Sequence, residues 1–560
     1  MCFIAVLVTA SLLSSCGSKK RPPTHEIVST PEQMDEKVKD LIATSLAYAL
    51  SDSGNIDDSI LLSQFDAVIF LYKEQTGGPF WSRQAKWLPV ADSAFNFLNQ
   101  CRLYGLFPED YHFDQLQTLR VKFAKDSLNK GDRKDAALWC RADLMLTDAV
   151  VRIIKDLKLG RLPNDSITLR KDSIVTNEFY KVKFNAIVSG NPFTPVIASL
   201  EPGHKGYRDL KAGISKFLDS ADFRNIIYIT YPSKDTAKLR SNLLVRLMES
   251  GYADSSDLSA DSLRLATILK KYQKEKHLTV DGKIGNQTIR ELNTSDKEKF
   301  IRIAITLDKF KLLPEQLPDK YIWVNIPSYN LKLVSGDSVK IVSRIVVGKP
   351  LTRTPELNSA VSEMITYPQW TIPQSIIAKE ILPALKRNPG YLAKKGFSLL
   401  TQKGEEVDPF SVDWSKYSKG IPYRIVQGSG DDNALGVLKF NFPNKYAVYL
   451  HDTNQRYYFS RADRALSHGC VRVQEWDDVA LYLLRNDSLN AKQKQPKGFT
   501  PIDSVLHWLA VKEKHTVPLR NRIPIFIRYF TCESDNGHIV FFGDVYNEDK
   551  KIKEQFFPGK

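Results

Sequence analysis

From about Pro31 to Tyr231 apolar residues recur three and four positions apart. Val38, Leu41 and Ile42 with Leu46 and Leu50, Ala94-Phe95 with Leu98, and Leu144, Leu146, Ala149 and Ile153 each mark one face of a helix. A further helix over Ile301–Phe310 reads as a linker, and beyond it the period shortens to two. Tyr321–Ile326, Val339–Val347, Val361–Tyr367, Leu438–Phe442, Tyr446–Leu450, Ile525–Phe530 and Ile539–Asp544 alternate as half-buried strands do. The C-terminal part is therefore expected to be mainly β with few helices, one of them over Glu475–Leu484.

Two stretches depart from these rhythms. Lys238–Asn293 carries short apolar helical faces (Leu244, Leu247, Leu263, Ala266, Ile268, Leu269), then Tyr272-Gln273-Lys274. The turn run Leu278-Thr279-Val280-Asp281-Gly282-Lys283-Ile284-Gly285 follows, and Asn286-Gln287-Thr288 starts a last helix. Trp370–Tyr423 interrupts the β region with Pro373, Pro383, Pro389-Gly390, Trp414 and Gly420, and helical Ile376–Leu385. A long insert rich in aromatic residues reads as a lid or substrate cap; a surface excursion is the plainer alternative.

At 560 residues the chain exceeds one core and is expected to hold two to four domains. Hydrophobic residues at 42% and charged residues at 26% are those of an ordinary globular protein. The +15 net charge is spread along the chain, with no basic stripe and no nucleic-acid module, so nucleic acid is not an expected partner. Such a charge suits an acidic polymer, or serves solubility alone. There is no His-x-x-x-His, Cys-x-x-Cys or Gly-rich phosphate loop, so no metal and no cofactor is expected. Of the cysteines beyond Cys2 and Cys16, Cys101 and Cys140 lie in helical segments and are either a disulfide pair or two buried thiols. Cys532, just past an apolar strand, is expected to be unpaired and to pack.

The candidate chemistry sits at His451-Asp452-Thr453 and Ser467-His468-Gly469-Cys470-Val471-Arg472-Val473. A thiol is a strong nucleophile only as thiolate and needs a base or a positive charge beside it. A base at a strand end and a thiol on a Gly-made turn converge across a sheet whatever their separation. A buried structural cysteine and a core histidine are the plain alternatives on residue types alone.

The arrangement, a histidine, fifteen residues, then Ser-His-Gly-Cys, resembles the catalytic signature of the L,D-transpeptidases, the YkuD-type fold. The resemblance continues through Val324–Leu331, Ile345–Pro350, Ile381-Leu382-Pro383, Asn388–Leu392, Ala434-Leu435-Gly436 and Lys439–Asn444, and so covers about Tyr321 to the end. It points to the large, multi-domain members from bacteria with an outer membrane. Pro79-Phe80-Trp81, Tyr104–Tyr111, Leu144–Thr147 and Leu159-Gly160-Arg161 resemble their helical scaffold, and the Gln273…Asp281-Gly282…Ile284-Gly285…Thr288…Leu292-Asn293 run resembles the three-helix peptidoglycan-binding module.

The resemblance implies roles. Cys470 is the nucleophile, and Gly469 permits the tight turn that lets nearby amides form an oxyanion hole, about 3–4 kcal/mol per donor. His451 is the base, its ring oriented by the backbone carbonyl of Asp452, which leaves the Asp452 carboxylate structural. His468 shares the pocket, Ser467 and Arg472 are assigned to substrate binding, and for Arg472 an ion pair with Asp477 or Asp478 is an equal alternative. The implied reaction is acyl transfer on peptidoglycan stems through a cysteine thioester, with loss of a terminal D-alanine and a 3→3 cross-link. A carboxypeptidase or related hydrolase, or an inactive wall-binding lipoprotein, are the rival readings.

At the N-terminus, the apolar run Phe3–Leu13 is too short to span a bilayer, and Leu13-Ser14-Ser15-Cys16 resembles a bacterial lipobox with Cys16 as the lipidated residue. Each buried methylene contributes about 0.8 kcal/mol, so several acyl chains anchor a protein stably to a membrane. A cleaved secretory signal is the alternative, and either places the rest outside the cytoplasm. The expected organisation is a signal at 1–16, a tether at 17–30, a helical scaffold at 31–235 and a peptidoglycan-binding-like domain at 236–296. A linker helix at 297–320 and a catalytic domain at 321–560, with its cap at about 370–423, complete it. Expected partners are peptidoglycan, a membrane through the anchor and other cell-wall synthesis proteins. The expected location is periplasmic, at the inner leaflet of the outer membrane.

Overall fold

The computed structural model describes residues 21–75, 77–128, 134–170, 175–190, 192–276, 278–494 and 500–560. Cys16 and the expected signal lie outside the described residues. The chain divides into two compact units, one built from residues up to Arg161 and from Lys171–Pro202, the other from Leu162–Arg170 and Gly203–Lys560.

The first unit is helical and forms around Ala136–Lys158, whose start is set by Asp135: its carboxylate accepts the amides of Ala137 and Leu138. Leu144, Leu146, Val150, Val151, Ile153 and Ile154 are all buried, as are Asp143, Thr147 and Asp148, so this helix is buried on nearly every side and is central. Helices Pro31–Ser51, Phe65–Glu74, Phe113–Leu128 and Asn177–Val188 pack around it. In the first of these the buried face is Val38, Leu41, Ile42, Leu46 and Ala49, and Leu50 faces solvent. Asp143 lies inside this core and accepts the amides of Phe80 and Trp81 and the hydroxyl of Tyr72, while Trp81 Nε1 donates to Thr147. The Pro79-Phe80-Trp81 and Leu144–Thr147 runs are thus the two halves of one buried polar clasp. Cys101 and Cys140 are separate buried thiols, not a disulfide, each pushed up to about 12 by burial.

The second unit begins with helix Lys205–Ser220, which packs on the hairpin Cys532–Asp535/His538–Phe541. Helices Thr236–Glu249, Ser262–Glu275 and Asn286–Leu292 then enclose Leu244, Leu247, Leu265, Ile268, Tyr272 and Ile289. The Gln273 side chain organises the turn: its Oε1 accepts the amides of Asp281 and Gly282, and its Nε2 donates to Asp281, to the Lys283 carbonyl and to Thr288. Helix Asp296–Lys311 follows, longer than the sequence rhythm marks because Ser295 caps it.

The β region is one curled sheet. Its strands run in the order Thr516–Pro518, Glu363–Thr366, Leu438–Asn441, Leu450–His451, Val471–Val473, Ser338–Gly348, Asn330–Ser335, Lys320–Asn325, Pro524–Arg528, Leu357–Ala360. Leu357–Ala360 is one edge, yet only two residues later the chain enters Glu363–Thr366, next to the opposite edge. The sheet's two ends must therefore meet, which curls it around a core of Ile322, Val324, Leu331, Leu438, Phe440 and Leu450. Of the expected strand over Val361–Tyr367, Glu363–Thr366 is extended, and Val361-Ser362 form the link by which the chain passes between the edges. The expected strand Tyr446–Leu450 is also corrected, since only Leu450–His451 is extended. The Asn444 carboxamide binds the amides of Tyr446 and Val448 and the Val448 carbonyl, and Ala447 sits at φ 55°, so the local hydrogen bonds win over the ladder. The helix expected over Glu475–Leu484 runs from Trp476 to Lys494.

The insert folds as a subdomain with its own core. Trp370–Thr371, Arg424–Gln427 and Phe397–Leu400 form a small antiparallel sheet against which Ile377, Leu385, Leu392 and Trp414 pack. Its main helical run is continuous from Gln374 to Arg387 but widens to a π turn at Ile377–Ile381.

Candidate active site

Side chains alternate across a sheet, so pairing register decides which residues meet. Leu450 lies opposite Phe440 and Val471, and all three are buried in the core. The other face then carries the residues between them. His451 pairs with Lys439 on one side and with Arg472 on the other, and Tyr449 and Cys470 adjoin at the same level, the Val471 amide donating to the Tyr449 carbonyl. Lys439, Tyr449, His451, Cys470 and Arg472 therefore share one face, although the chain between Lys439 and Cys470 is about thirty residues long.

Cys470, His451, His468, Ser467 and Arg472 line one cavity of about 270 Å³, closed on the far side by Trp370, Pro373 and Ile376 of the cap. A larger cavity of about 720 Å³ lies elsewhere in the same unit, among His204, Phe310, Trp323 and Lys332, and brings together no nucleophile and base.

His451 is buried, and its Nδ1 donates to the Asp452 carbonyl. A nitrogen facing a carbonyl must carry the proton, which leaves the Nε2 lone pair free in the neutral ring. Burial, with Arg472 and then Lys439 nearby, pushes the imidazole down to about 3. Burial also pushes the Cys470 thiol up, against the opposing pull of Tyr449, Lys439 and Arg472. At neutral pH the pair is thus a neutral thiol beside a neutral base. The Asp452 carboxylate is turned away: it accepts the Val437 amide and Arg456, and a Cβ on Gly436, at φ 62°, would overlap it.

The nucleophile turn is held from behind. Gly469 adopts φ 125°, open to glycine and strained for other residues. The Ser467 hydroxyl donates to the Cys470 carbonyl at 2.6 Å and accepts the Gly469 amide, so it serves the turn as it lines the cavity. Thr354 Oγ1 donates to the Gly469 carbonyl, Thr352 and the Lys349 amide donate to the Ser467 carbonyl, and Tyr546 donates to the carbonyl of Gly348. Among the described residues the Cys470 amide makes no backbone hydrogen bond, which leaves it available to a developing oxyanion.

His468 reaches the cavity from a bend, not from a strand, and its Nε2 lies 2.6 Å from Glu380 of the cap's π turn. Arg472 makes no ion pair with Asp477 or Asp478. It donates to Thr453 and Gln455 and lies over the Tyr458 ring, and among the described residues its buried Nε has no partner. Sequence reasoning missed Glu380, Tyr449 and Lys439. The last two were within reach, since His451 and Tyr449 are two apart and Lys439 falls opposite once the strands are registered.

Comparison with known proteins identifies the domains that hold these residues. Residues 319–487 match the family model of the L,D-transpeptidase catalytic domain (YkuD), and residues 66–213 match that of the scaffold domain. A Haemophilus influenzae protein named "Putative L,D-transpeptidase" is 35% identical over 280 residues, 49% of this chain and 54% of that protein. The chain thus spans about half the length of the curated relative it matches. A solved structure described as the Ldtfm–avibactam carbamoyl enzyme covers 40% of this chain and 61% of its own at 13% identity, with a TM-score of 0.16, too low to carry an argument. The chain carries an L,D-transpeptidase catalytic domain and a scaffold domain.

Proposed function

We propose that this protein is an L,D-transpeptidase that forms 3→3 cross-links between peptidoglycan stems. The observation that carries the reading is the single-face register of His451 and Cys470 at the floor of a capped cavity, inside a domain that matches the L,D-transpeptidase family.

His451 Nε2 takes the thiol proton as Cys470 Sγ attacks the carbonyl on the L-centre of diaminopimelate in a donor tetrapeptide. The Cys470 amide receives the oxyanion. The C–N bond to the terminal D-alanine breaks, the imidazolium returns the proton to the leaving amine, and a thioester remains. The side-chain amine of a second stem, losing its proton to His451, attacks the thioester; the C–S bond breaks and the thiol is restored. Arg472, which lines the cavity, receives a substrate carboxylate. Ser467 and Gly469 hold the turn, and His468 ties it to the cap.

The same reading assigns Cys16 as a lipidated anchor and places the enzyme in the periplasm, on the inner face of the outer membrane, with other cell-wall synthesis proteins as partners. The three-helix module fits wall docking, although Gln273 and Asp281 serve its own turn.

Incubation of the purified protein with disaccharide-tetrapeptide, followed by mass spectrometry, tests the proposal. A 3→3 dimer with free D-alanine is expected from the native protein and from no Cys470→Ala preparation. Tripeptide without dimer would replace it with a carboxypeptidase, and unchanged substrate with a wall-binding protein.

A further inference from the structure

Lys439 is not part of the cavity lining, yet its position is unusual. It stands opposite His451 in the sheet, and its Nζ lies 3.9 Å from the centroid of the Tyr449 ring. Among the described residues its ammonium makes no hydrogen bond and no ion pair. The carboxylate that acts on it is Glu363, whose Oε1 already accepts Asn441 Nδ2. A half-buried ammonium without an anion is costly, and an aromatic face offsets only part of that cost. The ring under it is itself engaged at three points. It meets His451 edge-on at 5.6 Å, and its hydroxyl faces both the Cys470 thiol and the Trp370 indole of the cap. A cation that lacks a counter-ion thus sits one aromatic ring away from the one group at the site that becomes an anion during the reaction.

We propose that Lys439 is a positioning residue that seats the Tyr449 ring and its hydroxyl against Cys470 and in that way favours the thiolate. It touches neither substrate nor reacting atoms and acts through Tyr449. The inference rests on Cys470 as nucleophile but not on what the thioester is handed to. Lys439 and Arg472 are the two cations around the thiol. Tyr449 and His451 face it as neutral groups, and His468 is occupied by Glu380. Burial still holds the thiol up; without Lys439 it would be higher.

The test is the pH profile of Cys470 alkylation by iodoacetamide in the full chain, read by intact mass, for Lys439→Met and Lys439→Arg. Lys439→Met is expected to slow alkylation at neutral pH about tenfold, an upward move of about one pH unit in the inflection, and Lys439→Arg to stay near the native profile. A second arm uses Tyr449→Leu: with the ring gone, adding Lys439→Met should change the rate little further. A Lys439→Met profile that overlays the native one, or a Lys439→Arg profile as displaced as that of Met at an unchanged melting temperature, would overturn the proposal. Should Lys439→Met fold poorly, the Tyr449→Leu pair decides: additive losses sink the idea. Alkylation needs no stem peptide, so a protein that shows the expected shift but makes no cross-link would refute the proposed function and leave this inference standing.

Discussion

His468 of the nucleophile turn and Glu380 of the cap meet at 2.6 Å, the one side-chain hydrogen bond by which the Ser-His-Gly-Cys run reaches the insert. Glu380 points there because the helix widens into a π turn at Ile377–Ile381. Both side chains are partly exposed, so the contact contributes at most about 1 kcal/mol. Glu380→Ala is therefore expected to raise KM for the donor up to about fivefold with a smaller change in kcat, and to speed hydrogen exchange over Gln374–Arg387. Unchanged exchange there would show that the cap closes without this contact.

The two shifted groups at the centre fix the pH behaviour. His451, held down to about 3, stays an unprotonated base across the ordinary range, while Cys470, held above the usual thiol value, remains protonated at neutrality. As pH rises toward the Cys470 value the thiolate fraction grows, so alkylation should keep rising beyond pH 8, with no step from His451 between pH 5 and 8. A plateau already reached below pH 6 would mean a preformed thiolate–imidazolium pair instead. His451→Ala should slow acylation by a tetrapeptide donor by about a hundredfold or more, measured as adduct formation by mass. Cys101, Cys140 and Cys532, pushed up to about 12 by burial, should not label in the native protein.

In the helical unit, Asp143 is pushed up to about 6 by burial although it accepts hydrogen bonds from Tyr72, Phe80 and Trp81. Asp143→Ala leaves the amides of Phe80 and Trp81 without acceptor in the core, while the Tyr72 hydroxyl keeps Thr147, and should cost about 3 kcal/mol. The measurement is urea denaturation of the full chain with exchange of the Phe80 and Trp81 amides as the local probe. For a carboxyl whose folded value is raised, the stability it lends is complete below its ordinary 3.8 and is lost as pH climbs through about 6. The wild-type unit should therefore lose stability across that window, and Asp143→Asn should not.

Gln273→Ala should melt the three-helix module selectively, because one carboxamide satisfies the amides of Asp281 and Gly282 together with three acceptors. Limited proteolysis within residues 236–296 is expected to accelerate, while Cys470 alkylation stays at the native rate. Equal resistance in both proteins would reduce the turn network to a minor support.

The sequence exposed what repeats and what is named by type. Ile322, Val324, Leu438, Phe440 and Leu450 alternate, and their side chains form the sheet core. Cys470 and His451 were legible because a thiol and an imidazole carry chemistry by themselves. Lys439, Tyr449 and Glu380 were not. Each acquires meaning only from what stands across from it, and neither register nor a π turn is written in periodicity. Tyr446–Leu450 failed for a related reason, since the pattern of a strand was present but the Asn444 side chain took the backbone hydrogen bonds first.

The strand Pro524–Arg528 pairs with Lys320–Asn325 and Leu357–Ala360, partners made about two hundred and about 165 residues earlier. During synthesis the chain therefore finishes its nucleophile some fifty residues before the strand that completes the sheet behind it. Until that strand arrives, the two edges it joins stand unpaired and the core behind Cys470 is incomplete. The burial, the neutral base and the nearby cations that set its reactivity all belong to the finished domain. A nascent or C-terminally shortened chain would thus carry the motif without the chemistry.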